Sequence, residues 1–296
     1  MRPSAAGIPA LVCLLAFSVG CAGAPPADEL LRTAREACDS ERWAEAAAKY
    51  EAFAETGRAG RKEALVAAGE CYKKAGLWKH AYEAFERVLE DYAAGAEADR
   101  ALKEMFAIAA AFTEGRTEPS PVLPFLYLTS REWGAGRLMD LAEHYPCRPE
   151  AQRAYGIVGV YRMNSGDYEL ALEVFDKVLT ESADPAVMEE AVFYRGEVLF
   201  RSARGADYDV GVFERAERHF RDYLARSPTG RYRRLAEKRL SRIAEILARR
   251  ELDTARFYIR RERPDSAAVA LRYVLDRFPG TEAAREAGRL LAELHR

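Results

Sequence analysis

Residues 251–281 read ELDTARFYIRRERPDSAAVALRYVLDRFPGT, a pattern that predicts a helix, a short turn and a second helix closed by a Phe-Pro pair. The small residues Ala255 and Ala267 fall where the two helices would touch, and larger apolar residues such as Tyr258 and Leu271 surround them. Helices that pack about 8–10 Å apart need small residues at their crossing. Because one such hairpin cannot bury its own apolar face, several hairpins must stack.

Fainter copies of this unit recur upstream. Trp43 and Trp78 are 35 residues apart, as are Ala46 and Ala81, and this period is close to the tetratricopeptide length of about 34 residues. Ala, Arg, Glu and Leu dominate the composition while Val and Ile are sparse, which favours helices over sheets. The sequence therefore predicts an all-α, tetratricopeptide-type α-solenoid of about six helical hairpins, capped by a terminal helix at 282–294.

Two interruptions and one long helix divide the predicted array. The segment 113–133 holds three prolines and an apolar run, and it is either an insertion packed against the solenoid or a partner-binding loop. A second loop is predicted at 204–211. No Gly or Pro occurs in 232–263, so one continuous helix is expected there. We accordingly predict an N-terminal repeat array over 28–203 and a C-terminal repeat region over 204–296.

The N-terminus has the pattern of an export signal. A short apolar run at 8–19 is followed closely by Cys21 and by a small, Pro-containing segment, an arrangement that resembles the lipobox of bacterial lipoproteins. We therefore predict a lipoprotein signal peptide over 1–20, lipid attachment at Cys21 and a linker over 21–27. The alternative is an ordinary secretory signal in which Cys21 is incidental. By resemblance to enterobacterial lipoproteins, Ala22 rather than Asp after the cysteine indicates the outer membrane.

The sequence offers little catalytic chemistry. The four histidines lack metal-ligand spacing, and no nucleophile, zinc or phosphate-binding motif is present, so we predict no enzyme activity, no metal and no cofactor. Beyond the leader, Cys38, Cys71 and Cys147 are an odd number without C-x-x-C spacing, so they are interpreted as small buried apolar residues rather than a disulfide framework. The proximity of His144 to Cys147 in sequence is interpreted as coincidence.

Charge gives one further signal. The formal net charge is −2, which gives no general electrostatic argument for nucleic acid as a partner. Positive charge nevertheless accumulates in 212–263, with 16 Lys and Arg against 8 Asp and Glu. This excess is either a solvated helix surface or a docking surface for an acidic partner or anionic lipid headgroups. The candidate docking residues are Arg233, Arg234, Arg239, Arg242, Arg249 and Arg250.

From Phe213 onward the chain resembles the BamD family of tetratricopeptide lipoproteins, which belong to the outer-membrane β-barrel assembly machinery. The likeness rests on AERHFRDYLARSPTGRYRRLAEKRLSRIAEILARRELDTARFYIRR, which begins at Ala216, and on AVALRYVLDRFPGTEAAREA, which begins at Ala268. The N-terminal half departs from the family, since its first hairpins close with Thr56-Gly57 and Tyr92-Ala93 rather than with Tyr-Pro or a similar pair.

The resemblance implies a lipid-anchored scaffold on the periplasmic side of the outer membrane. Its C-terminal repeats would hold the β-barrel insertase subunit, and its N-terminal repeats would meet unfolded barrel proteins. Helical repeats bind many kinds of partner. An adaptor for peptidoglycan synthesis, division or another envelope complex is therefore the alternative function.

Overall fold

The computed structural model describes residues 26–92, 94–119, 127–182, 184–205 and 209–294, and of residues 127–129 the backbone alone. The predicted signal peptide and Cys21 lie outside these residues. Within them the chain forms thirteen α-helices and two short strands. The helices are α1 Ala27–Asp39, α2 Trp43–Glu55, α3 Arg61–Lys74, α4 Trp78–Asp91, α5 Ala96–Glu114, α6 Arg131–His144, α7 Pro149–Ser165, α8 Tyr168–Glu181, α9 Pro185–Ser202, α10 Val210–Arg226, α11 Arg233–Arg260, α12 Pro264–Arg277 and α13 Glu282–Leu294.

Consecutive helices pack in pairs, from α1 with α2 to α11 with α12, and each pair packs on the next. Helix α13 covers the exposed end of the last pair by packing against both α11 and α12. The helices bury apolar residues against the helices on either side of them, since a hairpin gains a core only from its neighbours. The predicted all-α tetratricopeptide-type solenoid of six hairpins with a capping helix is therefore confirmed.

Three hairpins share one crossing geometry, in which a glycine of the first helix lies against a phenylalanine ring of the second. A Cβ built on any of these glycines would lie 2.6–3.0 Å from the ring, so the helices can approach this closely only where the side chain is absent. The pairs are Gly69 with Phe85, Gly159 with Phe175, and Gly196 with Phe220.

The spacing within these pairs shows where the chain departs from a regular repeat. Gly69 and Phe85 are sixteen residues apart, whereas Gly196 and Phe220 are twenty-four apart. The eight additional residues equal in number the loop predicted at 204–211, but that prediction ends too late, because α10 already includes residues 210 and 211. Within that loop the backbone N–H of Arg204 donates to the Asp209 carboxylate at 2.7 Å, and α10 begins at Val210.

The insertion predicted over 113–133 is shorter than expected, because α5 continues to Glu114 and α6 already begins at Arg131. Between them lie two antiparallel strands, β1 Thr117–Pro119 and β2 Tyr127–Thr129. The three prolines indicated a break in the helical pattern, but they did not fix its ends. The prolines correctly indicate that the helical pattern is interrupted within 113–133. Packing between α5 and α6 makes both helices longer than the sequence pattern predicts, so the interruption is shorter.

The base of this insertion packs against α4. The buried carboxylate of Glu118 accepts the backbone N–H of Lys79 at 3.1 Å, which is one of the first N–H groups of α4 that has no partner inside the helix. The Arg116 guanidinium lies 3.9 Å from the ring centroid of Trp78, also at the start of α4. In the described residues, these contacts favour an insertion packed against the solenoid over a partner-binding loop.

Helix α11 is shorter than the continuous helix predicted over 232–263. It ends at Arg260, and the next three residues make the turn into α12 with Glu262 at a positive φ of 55°. The prediction placed the end directly at Pro264 because proline constrains the residue before it. The antiparallel return of α12 requires a turn of its own, and this turn takes the last three residues of the predicted helix.

Two apolar cores run along the array, and they meet at α9. Ala191 and Val198 belong to the core that extends back to α1, whereas Val192, Phe193 and Leu199 belong to the core that extends on to α13. Helix α9 therefore presents one face to each core. The predicted division of the chain at 203/204 stays a prediction.

Candidate partner-binding surfaces

A groove with a volume of about 840 Å³ opens along the inner faces of α7 and α9. Its apolar lining comes from half-buried residues of these two helices, which include Ile157, Val160, Val187 and Tyr194. Charged residues of both signs surround this lining. They are the cations Arg131, Arg153 and Arg231 and the acids Glu114, Asp184 and Glu190. An apolar floor with a rim of mixed charge suits an extended peptide segment better than a small charged ligand.

One end of the groove is closed by Tyr232, which precedes α11. Its ring stacks on Phe193 with centroids 4.4 Å apart, and its hydroxyl donates to Glu190 at 3.0 Å. The backbone N–H of Tyr232 donates to the hydroxyl of Tyr223, which in turn donates to Glu189 at 2.9 Å. Burial, together with the hydrogen bond to Glu189, raises the pKa of Tyr223 to about 12. These hydrogen bonds fix the positions of Tyr232 and Tyr223, and both phenol groups are uncharged at neutral pH.

The floor of the groove also holds a polar atom without a protein partner. The side-chain Nε2 of Gln152 donates to the carbonyl of Pro146 at 3.4 Å. Its Oε1 is buried and accepts no hydrogen bond within the part of the chain that the structure describes. A buried acceptor of this kind is costly to leave unmatched.

Arg239, one of the six predicted docking arginines, is used inside the fold. Its guanidinium donates twice to the carboxylate of Glu197, at 2.7 Å each, and so ties α11 to α9. Glu197 has a side chain only 2% exposed and receives a further hydrogen bond from Arg201 at 2.7 Å. Burial alone would raise the pKa of Glu197, but the hydrogen bonds from Arg239 and Arg201 outweigh it and lower that pKa.

Three further predicted arginines pair with their own chain at the surface. Arg233 donates to Glu237 and to the carbonyl of Pro228, at 2.9 Å each. Arg249 pairs with Glu245 at 2.7 Å and with Glu282 at 3.1 Å, and Arg250 pairs with the adjacent Glu251 at 2.7 Å. Exposed pairs of this kind are weak, and a partner could exchange them.

The remaining two, Arg234 and Arg242, are exposed and form no ion pair with any residue of the described ranges. Lys238 lies midway between them in sequence. It is also exposed and forms no ion pair with any residue of the described ranges. These three residues are four apart in sequence, so they follow one face of α11. We call them the α11 basic stripe. The structure thus brings together two of the six predicted arginines, with Lys238 between them.

The cysteines differ from one another in exposure. Cys71 is buried as predicted, Cys38 is half-buried, and Cys147 is exposed, so the prediction of a buried residue is wrong for Cys147. Cys147 follows the end of α6 in a turn, where the neighbouring helices do not cover it. His144 donates its Nδ1–H to the backbone carbonyl of Asp140, 2.7 Å away, and the hydrogen bonds of the described residues do not join it to Cys147.

Metal sites and membrane spans are two further features that the described residues could contain. Side chains of His, Cys, Asp and Glu do not gather there in groups of three or more that could hold a metal ion. In the same residues, none of the helices is both long and apolar enough to cross a membrane.

The repeat geometry defines the class of protein, and sequence comparison agrees with it. Residues 63–94, which cover most of the second hairpin, match the tetratricopeptide repeat model TPR_6. Proteins of this class are interaction scaffolds built from stacked hairpins. Residues 131–296, which run from the start of α6 to the C-terminus, match the family model described as YfiO, outer membrane lipoprotein.

The chain belongs to the YfiO family of outer membrane lipoproteins, since this match covers more than half of it. The matched region begins at α6 and so extends well upstream of Phe213, where the resemblance to the BamD family begins. Helices α1–α5 lie outside the match. A search of curated proteins returned no match.

Solved structures with a similar arrangement of helices are distant. A tetratricopeptide repeat protein from Parabacteroides merdae is 12% identical, over 91% of this chain and 99% of that one, with a TM-score of 0.36. PilF from Pseudomonas aeruginosa is 15% identical over 89% and 97%, with a TM-score of 0.34. The type IV pilus biogenesis factor PilW is 14% identical over 88% and 97%, with a TM-score of 0.33. Likenesses at this level carry no information about function.

Proposed function

We propose that this protein is a non-enzymatic scaffold lipoprotein on the periplasmic side of the outer membrane. Through protein–protein contacts it would help to assemble or insert outer-membrane β-barrel proteins. The proposal is supported by the family match over 131–296, whose description is outer membrane lipoprotein, and by the likeness of the C-terminal region to the BamD family. Cys21 would carry the lipid anchor, and two or more acyl chains would make that anchoring stable.

The observation that carries the proposal is the α11 basic stripe within the family-matched region. Arg234, Lys238 and Arg242 point to solvent without a partner in the described part of the chain, so their charge is available to another protein. Arginine binds carboxylates through a planar fork, which favours an acidic surface as the partner. The proposed partner is a periplasmic domain of the β-barrel insertase subunit.

The groove between α7 and α9 would serve the second proposed contact, with unfolded barrel proteins. Chain segments destined for a barrel alternate apolar and polar residues. An extended segment of this type could lay its apolar side chains against Ile157, Val160 and Val187. Backbone pairing and alternate side-chain contacts are how extended peptides are commonly bound.

The test is co-purification from mild detergent, with the wild type and a double variant, Arg234→Glu with Arg242→Glu. We expect wild-type protein to recover an outer-membrane β-barrel protein, and the double variant to recover at least about tenfold less, because two attractive contacts become repulsive. Arg35→Glu with Lys103→Glu is the matched control. It makes the same change in net charge at exposed residues of α1 and α5, which lie outside the family match.

Each outcome has a distinct meaning. Recovery of peptidoglycan enzymes instead of a barrel protein would replace this proposal with the envelope adaptor. Equal recovery by both double variants would remove the α11 basic stripe from the docking surface. All four substitutions are at exposed residues, so each variant should unfold within about 0.5 kcal/mol of the wild type. Intact mass of the mature protein tests the anchor, since a chain that begins at an unacylated Cys21 would contradict it.

A further inference from the structure

Two cysteines that the sequence separates by 33 residues are in contact. The Sγ atoms of Cys38, near the end of α1, and Cys71, near the end of α3, lie 3.5 Å apart as free thiols. Cys71 is buried and Cys38 is half-buried, so one of the two thiols is open to solvent. The pair lies within the N-terminal hairpins, away from both candidate partner-binding surfaces.

The contact is close to what a disulfide requires. A disulfide has an S–S length of about 2.05 Å and tolerates Cβ atoms about 3.5–4.5 Å apart. Thiols already in van der Waals contact need only small side-chain rotations to reach bonding distance. The two helices are already held at this separation by α2, which packs against both α1 and α3.

We propose that Cys38 and Cys71 form a disulfide in the exported protein, and that this bond ties α1 to α3. The inference rests on the export that the proposed function assumes, because disulfides persist in the bacterial periplasm and are rare in the cytosol. The oxidant is a disulfide of another protein or of a small thiol such as glutathione.

The exchange balances in two steps. The thiolate of Cys38 attacks one sulfur of the donor disulfide, which forms a mixed disulfide and releases one donor thiol. Cys71 then attacks the sulfur of Cys38, which forms the internal disulfide and releases the second donor thiol. The two protons from Cys38 and Cys71 end on the two donor thiols, and the donor is reduced by the two electrons that this protein loses.

The order of attack follows from the surroundings of the two thiols. Burial, and next the contact with Cys38, raise the pKa of the Cys71 thiol to about 12, so its thiolate is scarce. The half-exposed Cys38 is the thiol that a large donor can reach. Cys71 acts second, when its target sulfur is already in contact with it.

The bond would act where the array is weakest. Helix α1 packs mainly against α2, and it is the first helix of the described residues; terminal repeats of such arrays separate most easily. The proposed lipid anchor at Cys21 lies six residues before α1, so a pull on the tether acts on this helix first. A disulfide that closes the 33-residue separation would hold α1 in place against that pull.

The experiment is a peptide map of the mature protein isolated from the cell envelope after rapid alkylation with N-ethylmaleimide. Trypsin without reduction should give a cross-linked pair of peptides, residues 36–42 joined to residues 63–73, which separates on reduction. The peptide that contains the exposed Cys147 should be alkylated and serves as the internal control. Alkylation of both Cys38 and Cys71 before reduction would overturn the proposal.

Thermal unfolding gives a second readout. Reduction should lower the midpoint of the wild type and of Cys147→Ser by about 5–10 °C, the range expected for closing a loop of this size. The double variant Cys38→Ser with Cys71→Ser should show no change on reduction. A shift in that variant as large as in the wild type would contradict the assigned pair.

The two proposals fail separately. A cross-linked protein that recovers no barrel protein would leave the disulfide established and remove the assembly function. A protein that recovers a barrel protein while both thiols are free would support the assembly function and remove the disulfide.

Discussion

The first hairpins and the later ones use charged residues differently. In the N-terminal part, ion pairs between hairpins lie near the surface, as Lys62 with Glu97 at 2.9 Å illustrates. In the C-terminal part the Glu197–Arg239 pair, between α9 and α11, contains a carboxylate that is almost fully buried. A surface pair contributes little to stability, whereas a buried pair is costly to break. The difference teaches that the contact of α11 with α9 includes a buried ion pair, whereas the ion pair chosen from the first hairpins stays near the surface.

The largest effect should come from breaking the buried pair. Arg239→Met leaves the carboxylate of Glu197 with Arg201 alone, and we expect a loss of about 3 kcal/mol in the free energy of unfolding. Lys62→Met is the matched change at the N-terminal surface pair and should cost much less, because solvent screens that pair. Urea unfolding of both variants measures the difference. Equal losses would remove the distinction between the two regions.

An intermediate effect is expected at the helix crossings, which both regions share. Gly159→Ala would place a Cβ about 2.6 Å from the buried ring of Phe175, so the free energy of unfolding should fall by about 1–3 kcal/mol. Gly156→Ala is the control on the same helix. Its Cβ would meet nothing within 4 Å, and it should stabilise the protein by up to about 1 kcal/mol. Chemical denaturation compares the two, and a neutral Gly159→Ala would show that α7 and α8 can separate freely.

The smallest effect is a pH dependence of the buried pair. The pKa of Glu197 is lower in the folded protein than the value of about 4.3 in an unfolded chain. Its stabilisation is therefore complete above the unfolded pKa and is lost as the pH falls through the folded pKa. Glu197→Gln should be less stable than the wild type at pH 7, and this difference should shrink as the pH falls below about 4.3. A difference that is constant from pH 7 to pH 3 would show that the carboxylate charge is not what stabilises α11 on α9.

The helical pattern of the sequence predicted most of the fold. Six hairpins and the capping helix follow from small and aromatic residues that recur at helical spacing, and Gly69–Phe85 and Gly159–Phe175 share the same separation of sixteen residues. The ends of elements were predicted less well, as at the end of α11. Helix termini are set by the return of the next helix, which a local pattern does not contain.

The sites were predicted less well than the fold. Six arginines were grouped by charge alone, yet Arg239 is a structural residue and four of the six pair with their own chain. Lys238, which completes the α11 basic stripe, belongs to the basic excess over 212–263 but is not among the six candidate arginines. A helical-wheel count of residues four apart could have joined it to Arg234 and Arg242.

The sequence by itself determined that this chain is a stack of helical hairpins and that its C-terminal part has a family likeness, because both depend on residues at regular spacing. The tertiary structure alone decided which charges are free and which thiols touch. Arg239 meets Glu197 across 42 residues, and Cys38 meets Cys71 across 33. Such pairs are formed when separate helices pack side by side, and no local pattern in the chain specifies which side chains then come into contact.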